Sequence, residues 1–174
     1  MILLFNVLIL TSNFLPQPDA NGININIISQ DLMKKGCNVV CVSYKNKNLP
    51  RHEIINGIEI YRIKPSLYSR ILEYENKKEL NIIISKIILT FKFIRKILLL
   101  FLLLNFPNFD ILQSYKIYNL VNRILKTKHY DLILGVYKPF SNISALIKIK
   151  HQNPEILCGV YYLDLINSIQ KPAY

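Results

Sequence analysis

The chain has 174 residues, 51% of them apolar and 19% charged, which fits one domain with a real core and excludes a disordered chain. Net charge is +11, and nine basic against three acidic residues between Arg62 and Lys96 hold more than half of that excess in one fifth of the sequence. A field this concentrated favours anionic partners such as lipid headgroups or phosphates.

Residues 2–10 form a short apolar run interrupted by Asn6, with no basic segment before it. That pattern predicts a buried parallel strand and not a signal peptide. Residues 11–23 carry two prolines and Gly22 and read as a loop. Ile25, Ile28 and Leu32 follow at helical spacing, so a helix is expected over 24–35 with Gly36 ending it. A second strand is expected over 37–43, a polar loop over 45–52, a turn at Asn56-Gly57 and a third strand from Ile58 to Ile63.

A long helix is expected from about residue 80 to residue 104, its inner stripe running through Ile84, Ile87, Phe91, Ile94, Leu98 and Phe101. Another is expected over 110–128, with Ile111, Tyr115, Tyr118, Val121 and Leu125 inward. A fourth strand follows over 132–136. A helix N-capped by Ser141 is expected from 142 to about 150, then a fifth strand over 156–163, with Asp164 at its end. Tyr161 and Tyr162 fall at core-like spacing beside Tyr115 and Tyr118. Apolar strands alternating with helices predict an α/β fold, a Rossmann-like, mostly parallel sheet with helices on both faces. Ligands of such sheets bind at the carboxyl ends of the strands, here the loops at 11–23, 137–141 and 164–168.

Cys37, Cys41 and Cys158 show no C-x-x-C or metal-ligand spacing. Four residues of strand span roughly 13 Å, too far for a Cys37–Cys41 disulfide, so the three read as reduced thiols of a cytosolic protein. The histidines, His52, His129 and His151, form no triad or metal set. The loop after the first strand carries neither G-x-G-x-x-G nor a Walker pattern. What it offers is Asn21-Gly22 at the start of a helix, where backbone can approach an anionic ligand.

A series of phrases in chain order carries a resemblance. The first strand leads into Phe14-x-Pro16 and, six residues on, Gly22. The next helix ends in Lys34-Lys35-Gly36-Cys37-Asn38-Val39. Gly57-Ile58-Glu59-Ile60-Tyr61-Arg62 follows, then Tyr130-Asp131 before a strand and Pro139 after it, and finally a strand running to Asp164. Together they cover most of residues 1–168, and the chain resembles the opening of the family 4 glycosyltransferases, two-domain GT-B enzymes. It departs from them in having one glycine, Gly22, where the family often has a pair, and Leu163 where a histidine commonly precedes the aspartate.

The resemblance implies one half of a GT-B architecture: a single N-terminal, acceptor-side domain over residues 1–174, with the donor-binding domain absent. It implies transfer of a sugar from a nucleotide-sugar donor to a polysaccharide or lipid-linked glycan acceptor, once a second domain completes the cleft, and no activity from this chain alone. Asn21 and Gly22 would then lie near the donor diphosphate, Pro139 and Phe140 would line the acceptor side, and Asp164 would orient an acceptor hydroxyl. No cofactor and no metal are expected.

In the 80–104 segment Lys86, Lys92, Arg95 and Lys96 break the apolar run, so a bilayer span is not expected. Lys92, Arg95 and Lys96 share a face opposite the inner stripe, a pattern suited to lying on an anionic membrane surface. The expected place is cytoplasmic, peripheral on the inner face of the cell membrane. The alternative reading is a non-catalytic α/β module that binds anionic membrane. Nucleic acid is not an expected partner, because the basic residues interleave with Ile and Leu and not with exposed aromatics.

Overall fold

A computed structural model describes residues 5–46, 48–66, 110–137 and 139–162. The elements, in chain order, are β1 (Asn6–Leu10), α1 (Ala20–Lys34), β2 (Asn38–Tyr44), β3 (His52–Ile55), β4 (Ile58–Ile63), α2 (Ile111–Leu125), β5 (Leu132–Val136), α3 (Phe140–Gln152) and β6 (Leu157–Tyr161). The expected 80–104 helix lies outside the described residues.

The strands make one sheet in the order β3-β4-β2-β1-β5-β6. All neighbours are parallel except β3 and β4. Without β3 this is the Rossmann order, in which the chain winds outward from β1 in one direction and then, from β5, in the other. The Rossmann-like α/β fold read from the sequence is therefore the fold observed.

Both faces of the sheet are covered. Leu8, Leu10, Val40, Val42 and Ile133 meet Ile117, Val121 and Ile124 of α2 and Ala145, Leu146 and Ile149 of α3. Val7, Ile9, Val39, Cys41, Ile58 and Ile60 meet Ile25 of α1 and Phe14 of the loop before it. Double coverage explains why the central strands are apolar at consecutive positions, Val7–Leu10 and Val39–Val42, and not at alternate ones.

Helix α1 begins four residues earlier than the sequence suggests. Asp19 is the reason: its Oδ1 accepts the Gly22 N–H at 2.8 Å, capping the first turn. The helix ends as expected. Gly36 has φ +85°, its N–H donates to Met33 O, and the Cys37 N–H donates to Leu32 O. That pairing is a Schellman closure.

The polar loop expected over 45–52 ends at His52, where a strand with no counterpart among the expected elements, β3, begins, so the sheet has six strands and not five. Asn56 (φ 51°) and Gly57 (φ 80°) are the two central residues of its hairpin with β4. Two positive φ values make the turn whose twist matches paired strands. The strand leaves little signal in the sequence because it is four residues long, lies at an edge and leaves Ile54 in solvent.

Helix α2 turns a different face inward from the one expected. Gln113, Ser114, Ile117, Val121 and Ile124 are buried, while Tyr115 is exposed and Tyr118 only part-buried. Both stripes follow helical spacing and share Val121, so periodicity alone did not choose between them. Packing of Ile117, Val121 and Ile124 on the sheet decides, and Tyr118 keeps its OH at the surface, donating to Gln152 Oε1 at 2.6 Å. Tyr162 is likewise exposed, not core. Ser141 does not cap α3. Pro139 holds the N-cap position, and Ser141 lies buried inside the first turn.

Candidate functional site

Every described helix starts at the carboxyl edge of the sheet, so the chemistry available there depends on how each helix start and each loop is held. The switch point lies between β1 and β5, which pair through Leu10 and Gly135 and then part. Parting strands leave carbonyls without ladder partners. Asn142, buried in the first turn of α3, supplies them: its Nδ2 is 3.4 Å from Leu10 O and 3.3 Å from Val136 O. Asn142→Leu removes both donors while keeping bulk. We expect a loss of about 1–3 kcal/mol, the cost of orphaning buried carbonyls, read as a lower urea midpoint.

The loop after β1 follows β2 for two more residues, through Thr11 N–H to Val42 O and Tyr44 N–H to Ser12 O. It then turns over the α1 face of the sheet, burying Phe14 and passing through a cis Leu15-Pro16 bond. Two side chains hold it. The Asp19 carboxylate gathers Ser12 Oγ (3.1 Å), Asn13 Nδ2 (3.3 Å) and the Gly22 amide. Arg62, 4% exposed in β4, donates from Nη2 to Leu15 O at 2.6 Å and from Nη1 to Pro50 O at 3.3 Å, and its Nη1 pairs with Glu53.

Asn21 and Gly22 therefore occupy the first turn of α1, with the Gly22 amide engaged by Asp19. A glycine stands at 22 for packing reasons visible here, because a Cβ would sit 2.1 Å from Asn13 O and 2.8 Å from Pro18 Cβ. Asn21 is half-buried. Pro139 and Phe140 begin α3 on the far side of the switch point, with Phe140 edge-on to Tyr137 at 6.2 Å between centroids. Asp164 and the basic set Lys86, Lys92, Arg95 and Lys96 lie outside the described residues.

Three further features at this edge have no counterpart in the sequence reading. Tyr44 OH lies 2.8 Å from Ser141 Oγ, tying the end of β2 to α3. Burial pushes the Tyr44 hydroxyl well above the usual tyrosine range, opposed by the bond to Ser141 and assisted by nearby Asp110. Asp110 caps α2, with Oδ1 accepting the Gln113 N–H at 3.1 Å and Oδ2 accepting Ser66 Oγ at 2.5 Å.

The third feature is an aromatic cluster. β5 and β6 pair in register to Val136 and Tyr161, so the next residues, Tyr137 and Tyr162, stand side by side. Their ring centroids are 4.6 Å apart, with 48% of Tyr162 exposed. With Phe140 they make a three-ring surface at the carboxyl edge.

The Tyr130-Asp131 phrase works at the opposite edge. Tyr130 is buried core, and Asp131 Oδ2 accepts the Asn6 N–H at 2.7 Å, fixing the start of β5 against β1. The three cysteines are free thiols. Burial pushes the Cys41 thiol up to about 12 from 9.0, with Ser29 acting the other way. The folded chain keeps this proton where the unfolded chain releases it. The associated stability is complete below about pH 9 and is lost as pH rises toward 12. We expect the urea midpoint to fall as pH rises above about 9 and to fall less steeply in Cys41→Ala.

No helix among the described residues is long and apolar enough to cross a membrane. Comparison with protein-family models, with curated proteins and with solved structures finds no match for this chain.

Proposed function

We propose that this chain is the acceptor-side half of a two-domain glycosyltransferase, taking a polysaccharide or lipid-linked glycan as acceptor and a nucleotide-sugar as donor. The observation that supports this best is the Tyr137–Phe140–Tyr162 surface at the carboxyl edge, beside the switch point where open α/β sheets take their ligands. Flat, part-exposed rings suit the C–H faces of a sugar, and neighbouring hydroxyls suit its polar rim. The loop after β1, held by Arg62 and Asp19, would form the opposite lip of the cleft. The nucleotide-sugar would need a second wall, so activity would require a donor-binding partner domain. Asp164, two residues past Tyr162, would orient the acceptor hydroxyl.

The test is a titration of the whole chain with soluble oligosaccharide fragments of cell-surface polysaccharides, followed by tyrosine NMR shifts. Saturable shifts at Tyr137 and Tyr162 are expected, and Tyr162→Ala should weaken binding about tenfold, the worth of one aromatic contact. Binding that Tyr162→Ala leaves unchanged would refute this site. Binding to anionic vesicles with none to any glycan would favour the membrane module instead.

A further inference from the structure

The interface between α1 and the sheet contains a polar seam. The alternation that puts Val7, Ile9, Val39 and Cys41 on the α1 side continues to Thr11 and Ser43. These are register neighbours at the ends of β1 and β2, each 1% exposed. Ser29, on the buried side of α1, is fully buried beside the Cys41 thiol. Asn26 lies one turn nearer the carboxyl edge. Thr11 Oγ1, Asn26 Oδ1 and Ser43 Oγ are buried with no partner at hydrogen-bonding geometry among the described residues, and Ser29 Oγ, also buried, has only the weakly bonding Cys41 thiol beside it.

Four such atoms on α1 and on the ends of the two strands beneath it are not a random scatter of defects. Asn26 to Ser29 spans roughly 4.5 Å along the helix, and Cys41 to Ser43 roughly 6.6 Å along the strand, so the atoms occupy one short stretch of the interface. Leaving each dry would cost a desolvation penalty with nothing to offset it, and buried polar groups in native folds are nearly always satisfied. None bonds another directly, so whatever satisfies them must bridge.

We propose that this seam is a binding site for structural water, at least one molecule bridging α1 to the ends of β1 and β2. Water has the right chemistry. Three of the four groups are hydroxyls that both donate and accept, the fourth is an amide oxygen that accepts, and a buried water typically makes two to four such bonds. A metal cation is the wrong occupant, because three hydroxyls and an amide oxygen supply none of the negative charge that a buried cation needs. The water lies under the base of the loop that Asp19 and Arg62 hold, and it joins Thr11, where that loop departs, to the helix the loop leads into.

Two measurements on the whole chain test this. In the unsubstituted protein, a crystal structure should show ordered density at hydrogen-bonding distance from at least two of the four oxygens, and NMR should show water cross-peaks to the Ser43 and Ser29 amides. The second uses Thr11→Val, which keeps shape and deletes the hydroxyl. A hydrated seam loses a bridge, and the melting temperature should fall by about 2–4 °C, the shift expected of a chain this size for about 1 kcal/mol. A dry seam loses only an orphan, and the melting temperature should rise. Absence of density and cross-peaks, or a rise in Thr11→Val, overturns the proposal. Should Thr11→Val fail to fold, the measurement on the unsubstituted protein decides alone.

Discussion

Replacing Arg62 by alanine should destabilise the fold by about 3 kcal/mol, read from urea unfolding. The guanidinium is the meeting point of four segments. It lies in β4, pairs with Glu53 of β3, and donates to the carbonyls of Pro50 and of Leu15 in the loop after β1. Removing it leaves a carboxylate and two carbonyls without their donor and opens a hole where a large side chain was fully covered. Breaking a buried ion pair by deleting one partner generally costs about 3–5 kcal/mol. The lower end applies because Glu53 is 26% exposed and water screens it. Arg62→Lys should recover only part of the loss, since one ammonium cannot serve the Leu15 and Pro50 carbonyls in the same planar fork. A loss below about 0.5 kcal/mol in Arg62→Ala would mean that the loop is held by something else.

Gly22→Ala should cost about 1–3 kcal/mol, the usual range for overpacking. This conservative change would be mild in an exposed helix, where alanine is the better helix former. Here the added methyl meets the Asn13 carbonyl oxygen at 2.1 Å and the Pro18 side chain at 2.8 Å. Neither is the flexible end of a long chain, so the loop must lift from the helix. Lifting it would also strain the Asp19 carboxylate, which bonds Ser12, Asn13 and the Gly22 amide together. If the loop is one lip of a ligand cleft, Gly22→Ala should weaken glycan binding as well as lower the urea midpoint. A stabilising effect would show that the loop is free to move.

Five of the six strands are legible as short runs rich in apolar residues, and the central ones, buried on both faces, carry that signal locally; β3, four residues long and at an edge, does not. The ends of α1 were partly legible. Gly36 marks the C-terminus, while Asn21-Gly22 points to a start four residues later than the one Asp19 sets as N-cap. For α2 the period was right and the face was wrong, since two apolar stripes competed and only packing against β1 and β5 selects Ile117 and Ile124. The role of Arg62 was not legible at all. Its partner carbonyl at Leu15 is 47 residues away, and nothing near Arg62 in sequence announces it.

The candidate site divides the same way. Tyr137 and Phe140 are neighbours in the chain, but Tyr162 joins them only through the register of β6 on β5. By itself the sequence determined the class of fold, the alternation of strand and helix, and the edge at which loops would gather, because these follow from periodicity and turn residues within a few positions. Tertiary structure decided which side chains meet at that edge: Arg62 with Leu15, Tyr44 with Ser141, Asn142 with two parting strands, Tyr137 with Tyr162. The physical reason is that such contacts depend on strand order and register, which are settled by the packing of the whole sheet and not by any one segment of it.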